Sequence, residues 1–191
     1  MKDASSFSGT PVPVGDVCAR CASVSDTCCC LTPGQEEHCF PISAPERQAM
    51  QDAGAGDDAL FTQENTPAFV DNLARLFPGE DTTLRALFPL GGQHHRLNLV
   101  PAQGTDGPML ACRLLGPQGC TLPRQARPYY CRLFPFWLRG RSVLYFEFNQ
   151  CQAVRERRGP GQMYLALGMS EKLARELYAS LRTAWGLPAR A

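Results

Sequence analysis

Apolar residues recur with a helical period in two stretches of the chain. Phe69, Val70, Leu73, Leu76 and Phe77 fall at i, i+1, i+4, i+7 and i+8, which is one face of a helix. Thr66 stands before this face, Pro67 takes the first helical position, and Pro78-Gly79 stops it. Leu173, Leu177, Leu181 and Trp185 mark the second stripe, on a helix that Ser170 caps and that runs to about Trp185. A third helix is announced by its start: Ser43 with Glu46 three residues on is a capping box, and the helix ends near "DAGAGDD". Leu84, Leu87 and Phe88 predict one more short helix before Pro89.

Three stretches read as strands: "HHRLNLVP", which alternates, Met109 to Leu115, and Ser142 to Asn149 with Val143, Tyr145 and Phe146. Gly116-Pro117-Gln118-Gly119 is turn chemistry between two short arms, so a hairpin is expected there. The elements together predict a small single-domain α+β fold with a few helices and a short antiparallel sheet. Residues 1–17 are rich in Ser, Gly and Pro and read as a flexible arm, with the domain at 18–191. No internal repeat is present.

With 191 residues, 44% hydrophobic and 19% charged, the chain can bury a real core. A net charge of +1 supplies no global field to recruit nucleic acid or a membrane surface. The basic run Arg155, Arg157 and Arg158 around Glu156 reads as a solvated face rather than a nucleic-acid contact. The opening "MKDASSFSGTPVPVGDV" has no apolar core of a secretory signal. The longest apolar run, Leu133 to Leu138, falls far short of the roughly 18 residues that span a bilayer. The expected address is the cytoplasm, where thiols stay reduced.

Ten cysteines change the picture. Cys18, Cys21, Cys28, Cys29 and Cys30 crowd one short stretch, followed by Cys39, Cys112, Cys120, Cys131 and Cys151. A disulfide framework is disfavoured: no export signal stands in front, and adjacent cysteines rarely bond one another. Packing as small hydrophobes could explain one or two, but not the triplet at 28–30. Metal ligation fits best, because thiolates bind zinc tetrahedrally and also hold iron–sulfur clusters. Cys18-Ala-Arg-Cys21 lets two sulfurs reach one ion from a tight turn, and "CRLLGPQGC" brings Cys112 and Cys120 to the two sides of its hairpin. "RPYYCRLFPFW" presents Cys131 between two prolines, and Cys151 follows the aromatic stretch "VLYFEFN". The metal is then expected to organise the irregular loops of the fold.

This pattern resembles the YkgJ-like cysteine-cluster family, described as zinc- or iron-chelating, whose members open with Cys-x2-Cys-x3-Cys-Cys. Cys112, Cys120, Arg127-Pro128, Cys131-Arg132 and Pro135 match the later part of the family pattern, and Cys151 suits its end. The opening departs from it: six residues separate Cys21 from Cys28, and Cys30 follows the pair, so which two of the triplet stand for the family's Cys-Cys stays open, with Cys28 and Cys29 favoured. The segment between residues 30 and 112 reads as an insertion or variable region. A looser similarity to flagellin lysine methylases keeps an enzyme in view. The resemblance implies a metal set of Cys18, Cys21, Cys28, Cys29, Cys112, Cys120, Cys131 and Cys151, with zinc or iron as cofactor, a four-iron cluster included.

Other chemistry is sparse. His38 is the histidine best placed to complete a Cys3His site; His94 and His95 point to opposite faces of a strand. Tyr129, Tyr130, Phe134, Phe136 and Trp137 surround Cys131 and read either as a dry shell for a thiolate site or as plain core. Arg127 and Arg132 could offset thiolate charge. "GAGDDA" has neither Rossmann spacing nor a P-loop Lys. The sequence thus reads as a metal-binding protein whose thiolates come from both ends of the chain. Its rivals are a cluster-containing modifying enzyme, such as a protein lysine methylase, and a redox or metal-delivery protein. The expected partner is a metal ion; no membrane is expected, and nucleic acid is not.

Overall fold

The structure, a computed structural model, describes residues 17–22, 27–102, 108–148, 151–156 and 160–189. Residues 1–16 of the expected arm lie outside the described residues, as do Arg157 and Arg158. Val17, read as the arm's last residue, starts a helix and is buried.

The helices start where their caps stand. Ser43 accepts from the Glu46 backbone N–H, and the Glu46 carboxylate accepts from Ser43 N at 2.9 Å, which starts α2 (Ala44–Asp52). Thr66 accepts from Phe69 N to start α3 (Pro67–Leu76), and Ser170 accepts from Leu173 N to start α8 (Glu171–Ala184). Between them lie α4 (Asp81–Leu87), α5 (Tyr129–Leu133), α6 (Gln152–Glu156) and α7 (Pro160–Ala166), and α1 (Val17–Ala22) comes first. The apolar stripes bury as the period requires: Phe69, Val70, Leu73, Leu84, Leu177 and Leu181 are at most 4% exposed. Leu87 of α4 is exposed, and its side chain lies against Gly186.

Among the described residues the strands form four small antiparallel sheets rather than one. Strand β1 (Cys30–Leu31) pairs with β5 (Leu110–Cys112), which pairs in turn with β4 (Leu99–Pro101). A second ribbon joins β2 (Leu60–Glu64) to β3 (Gln93–Leu97), so the predicted strand "HHRLNLVP" is split at Asn98 between two sheets. There the Asn98 amide donates to Asp58 O at 2.9 Å. A hairpin forms as β6 (Leu115–Gly116) and β7 (Gly119–Cys120), with Leu115 opposite Cys120; Cys112, expected at its other side, lies instead in β5 opposite Leu99. In the last ribbon β8 (Phe136–Arg139) pairs with β9 (Ser142–Tyr145), which ends earlier than the expected Asn149.

Two cores result. The larger packs α3, α4, α5, β8 and α8 around Phe69, Phe77, Leu133, Trp137, Leu181 and Trp185. The smaller gathers Ile42, Met50, Ala59, Leu97, Leu114 and Leu122. The segment between residues 30 and 112 supplies much of both. A buried ion pair, Arg182 to Glu80 at 2.5 Å, ties α8 to the start of α4. Among the described residues no helix is long and apolar enough to cross a membrane.

Candidate metal centre

The two cores leave a cavity of about 630 Å³ between them, and all ten cysteines line it. All ten are unbonded thiols. They arrive from five segments: α1, the turn into β1, the stretch after the short 3-10 helix Glu36–His38, the β5–α5 region, and the residue before α6.

Cys18 and Cys21 sit on a short helix, not on the tight turn expected. A separation of three residues still places both on one side of it. Helix α1 packs against α6, where Arg20 clamps Glu156 with bonds of 2.6 and 2.8 Å. Cys151 directly precedes α6, so this contact carries it toward Cys21. The β6–β7 hairpin also approaches α1. Gly119 has φ +90°, and a Cβ there would lie 3.2 Å from the Cys18 carbonyl oxygen, so the position has both the conformation and the closeness that favour glycine. This contact carries Cys120 to the cavity.

The middle of the triplet is tied to the other half of the chain. Cys112 N donates to Cys29 O at 2.8 Å, beside the Cys30–Ala111 pair of the ladder. Cys112, Cys120 and Cys131 all pack against the smaller core. Cys131 rides on α5, whose start is held by a buried carboxylate: Tyr129 N donates to Glu46 Oε1 at 2.8 Å.

Burial raises several of the thiols. It pushes Cys112 up to about 12, with the Cys29, Cys120 and Cys39 thiols adding to the rise. It raises Cys131 well above the usual thiol range, with Cys29 and Cys112 adding. Cys18 and Cys151 rise for the same reason, and each feels the charge of Cys29 and Cys21. Cys28 is raised first by donating its proton in a hydrogen bond to Cys29, and then by burial. Cys29 alone moves down, through that hydrogen bond and the Arg127 guanidinium, against burial.

Arg127 is a cation lining this site. Its Nε donates to Leu122 O at 2.9 Å, and its charge opposes the rise that burial imposes on Cys18 and Cys120. Arg132 turns away, donating to Gln125 O and lying over the Tyr129 ring. Of the expected aromatic shell, Tyr130 and Phe134 line the cavity, while Phe136 and Trp137 belong to the larger core.

His38 lines the cavity at its exposed edge. His94 and His95 do point to opposite faces. His94 is buried, stacks on Phe69 at 3.9 Å and shares a 2.7 Å hydrogen bond with Asn65; His95 bonds Thr62 and Arg47. Cys39, which the motif reading set aside, also lines the cavity, and burial pushes it up to about 11. Its signal in the sequence is only its place beside Phe40, which packs on Tyr130 with ring centres 4.9 Å apart.

The donor chemistry fits a thiophilic metal: many thiols, a fixed cation and a largely apolar wall around one cavity. The side chains do not close on a point, however. Among the described residues, no group of three or more His, Cys, Asp or Glu side chains is arranged to hold a metal ion. Metal binding therefore requires the thiols to lose their protons and turn inward. Comparison with known protein families, with curated proteins and with solved structures finds no match.

Proposed function

We propose that the chain is a cytoplasmic metal-binding protein that holds zinc or iron through Cys18, Cys21, Cys28, Cys29, Cys112, Cys120, Cys131 and Cys151, in the manner of the YkgJ-like family it resembles. One observation carries the reading: thiols from residues 18–29 and from 112–151 line a single cavity. Neutral thiols gain little from such crowding, and burial raises Cys112 and Cys131, which keeps those two protonated until a cation compensates. A metal ion supplies that compensation, and its binding free energy, on the order of 10–16 kcal/mol for structural zinc, couples metal to fold. The chain's own part is to gather the thiols, exclude water with Phe40, Leu114 and Phe134, and set Arg127 against the thiolate charge.

Metal analysis of protein purified without oxygen, together with its visible spectrum, tests this. One or more equivalents of zinc or iron per chain are expected; folded protein free of both overturns the proposal. The cavity's volume favours a second reading, a modifying enzyme whose small substrate enters beside the metal. Metal-loaded protein with no room left in the cavity argues against it.

A further inference from the structure

We infer that a second cavity, between α2 and the β2–β3 ribbon, binds a small zwitterion of the α-amino acid class, its carboxylate on Arg47 and its ammonium on Asp57. This cavity measures about 190 Å³, and no residue lines both it and the thiol cavity.

Three parts of the chain enclose it. Arg47 and Met50, three residues apart on one face of α2, form one wall. Thr62 of β2 and His95 of β3, opposite each other in the ribbon, form another. Met50 and Ala59, each 1% exposed, give it an apolar floor. Asp57, in the short 3-10 helix before β2, adds a carboxylate at the exposed rim.

The ribbon holds Arg47 in place. Its Nη1 lies 2.8 Å from His95 Nε2, and His95 Nδ1 lies 3.1 Å from Thr62 Oγ1. A guanidinium has only donors, so Nε2 accepts, and the neutral ring donates its proton from Nδ1 to Thr62. This engages one of the five guanidinium N–H groups. Among the described residues Arg47 has no carboxylate partner. The neighbouring carboxylates are taken: Asp52 accepts from Gln48 at 2.8 Å, and Asp58 from Arg113 at 2.9 Å. Asp57 has no cation partner among the described residues and does not pair with Arg47. One cavity thus holds an unpaired cation and an unpaired anion that do not reach each other.

A zwitterion supplies both missing partners. An inorganic anion would satisfy Arg47 and repel Asp57, and a metal ion would do the reverse. A carboxylate suits the guanidinium fork, which grips both of its oxygens, while the ammonium donates to Asp57. The volume lies below the roughly 300–1,000 Å³ of drug-sized sites. The floor of Met50 and Ala59 offers no polar partner, so the side chain is short and apolar.

The test is isothermal titration calorimetry of the full chain with L-alanine and L-valine, and with propionate and ethylamine, the two halves of alanine. Saturable binding of an amino acid is expected, at least about tenfold tighter than either half, which is the difference one charge-assisted contact makes. Asp57→Asn should weaken the amino acid about tenfold and leave propionate unchanged. Asp57 is exposed and bonds nothing, so this variant keeps the fold. Arg47→Gln should weaken both ligands. No saturable binding of either amino acid overturns the inference. Propionate as tight as alanine, or Asp57→Asn with wild-type affinity, overturns it in favour of a simple anion site. Each of these outcomes leaves the metal-binding proposal standing, because the two cavities share no residue.

Discussion

Glu46 holds two parts of the fold with one carboxylate, and replacing it by Gln separates them. Its Oε2 accepts from Ser43 N at 2.9 Å and Ser43 Oγ at 2.6 Å, completing the cap of α2. Its Oε1 accepts from Tyr129 N at 2.8 Å, at the start of the helix that carries Cys131. The side chain is 5% exposed, so water does not replace a lost partner. A carboxylate accepts on both sides, whereas an amide accepts on one and donates on the other. In Glu46→Gln the amide oxygen can serve Ser43, leaving the Tyr129 N–H against an NH2 at a cost of about 1–3 kcal/mol. Alternatively it serves Tyr129 and gives up the cap, at about 1 kcal/mol. A loss of about 2 kcal/mol lowers the melting temperature by about 4–8 °C in a chain of this size. Urea denaturation followed by tryptophan fluorescence measures it, and faster alkylation of Cys131 should accompany it. Gln48→Ala is the control, since Gln48 is exposed on the same helix and bonds only Asp52; about 0.5 kcal/mol or less is expected. Glu46→Gln as stable as Gln48→Ala would refute the reasoning.

Three further outcomes follow from the same structure. Glu80→Ala leaves Arg182, 2% exposed, without its carboxylate and should cost about 3–5 kcal/mol by denaturant unfolding; a loss below about 1 kcal/mol would mean that water reaches the guanidinium. Burial holds His94 down at about 4 against 6.5 for the unfolded chain, so its contribution is whole above pH 6.5 and lost as pH falls through 4. That contribution is about 3 kcal/mol, and His94→Gln should flatten the fall in stability between pH 6.5 and 4; an unchanged slope would rule out this role. Cys39→Ser should keep the full metal content, because Cys39 lies outside the proposed ligand set; loss of metal in this variant would place Cys39 among the ligands.

The helices were readable because their punctuation is local. Ser43 with Glu46, Thr66 with Pro67, and Ser170 each state a start within four residues, and each stands where α2, α3 and α8 begin. The missed strands carry no such mark. Leu60–Glu64 is exposed or half-buried throughout, so it shows no alternation of apolar and polar residues, and only its pairing with Gln93–Leu97 makes it a strand. Phe136, Trp137 and Leu138 are all buried, so the run lacks the period of two and reads as generic core. The cysteines announced thiol chemistry by type and crowding alone. Which thiol faces which depends on pairs distant in sequence, such as Cys29 with Cys112 and Arg20 with Glu156, and no local rule supplies those.

The long segment between the two cysteine regions contributes to the fold that joins them. Closing a loop costs entropy only logarithmically, about 0.6 kcal/mol for each doubling of length, so a span of roughly eighty residues is little dearer than one of forty. The enclosed chain more than offsets that difference by what it buries. Phe69, Val70, Leu73, Phe77 and Leu84 come from it and are almost wholly inaccessible, each burial contributing about 1.5–3 kcal/mol before its entropy is counted. The ladder then returns the chain to where it left: Cys30 pairs with Ala111, and Cys112 N bonds Cys29 O. The thiols of the second region are thereby delivered to the first by hydrophobic packing and strand pairing. A fold assembled this way brings its cysteines to one cavity by packing and pairing alone, so a metal bound as proposed would have only to close side chains, not to gather segments.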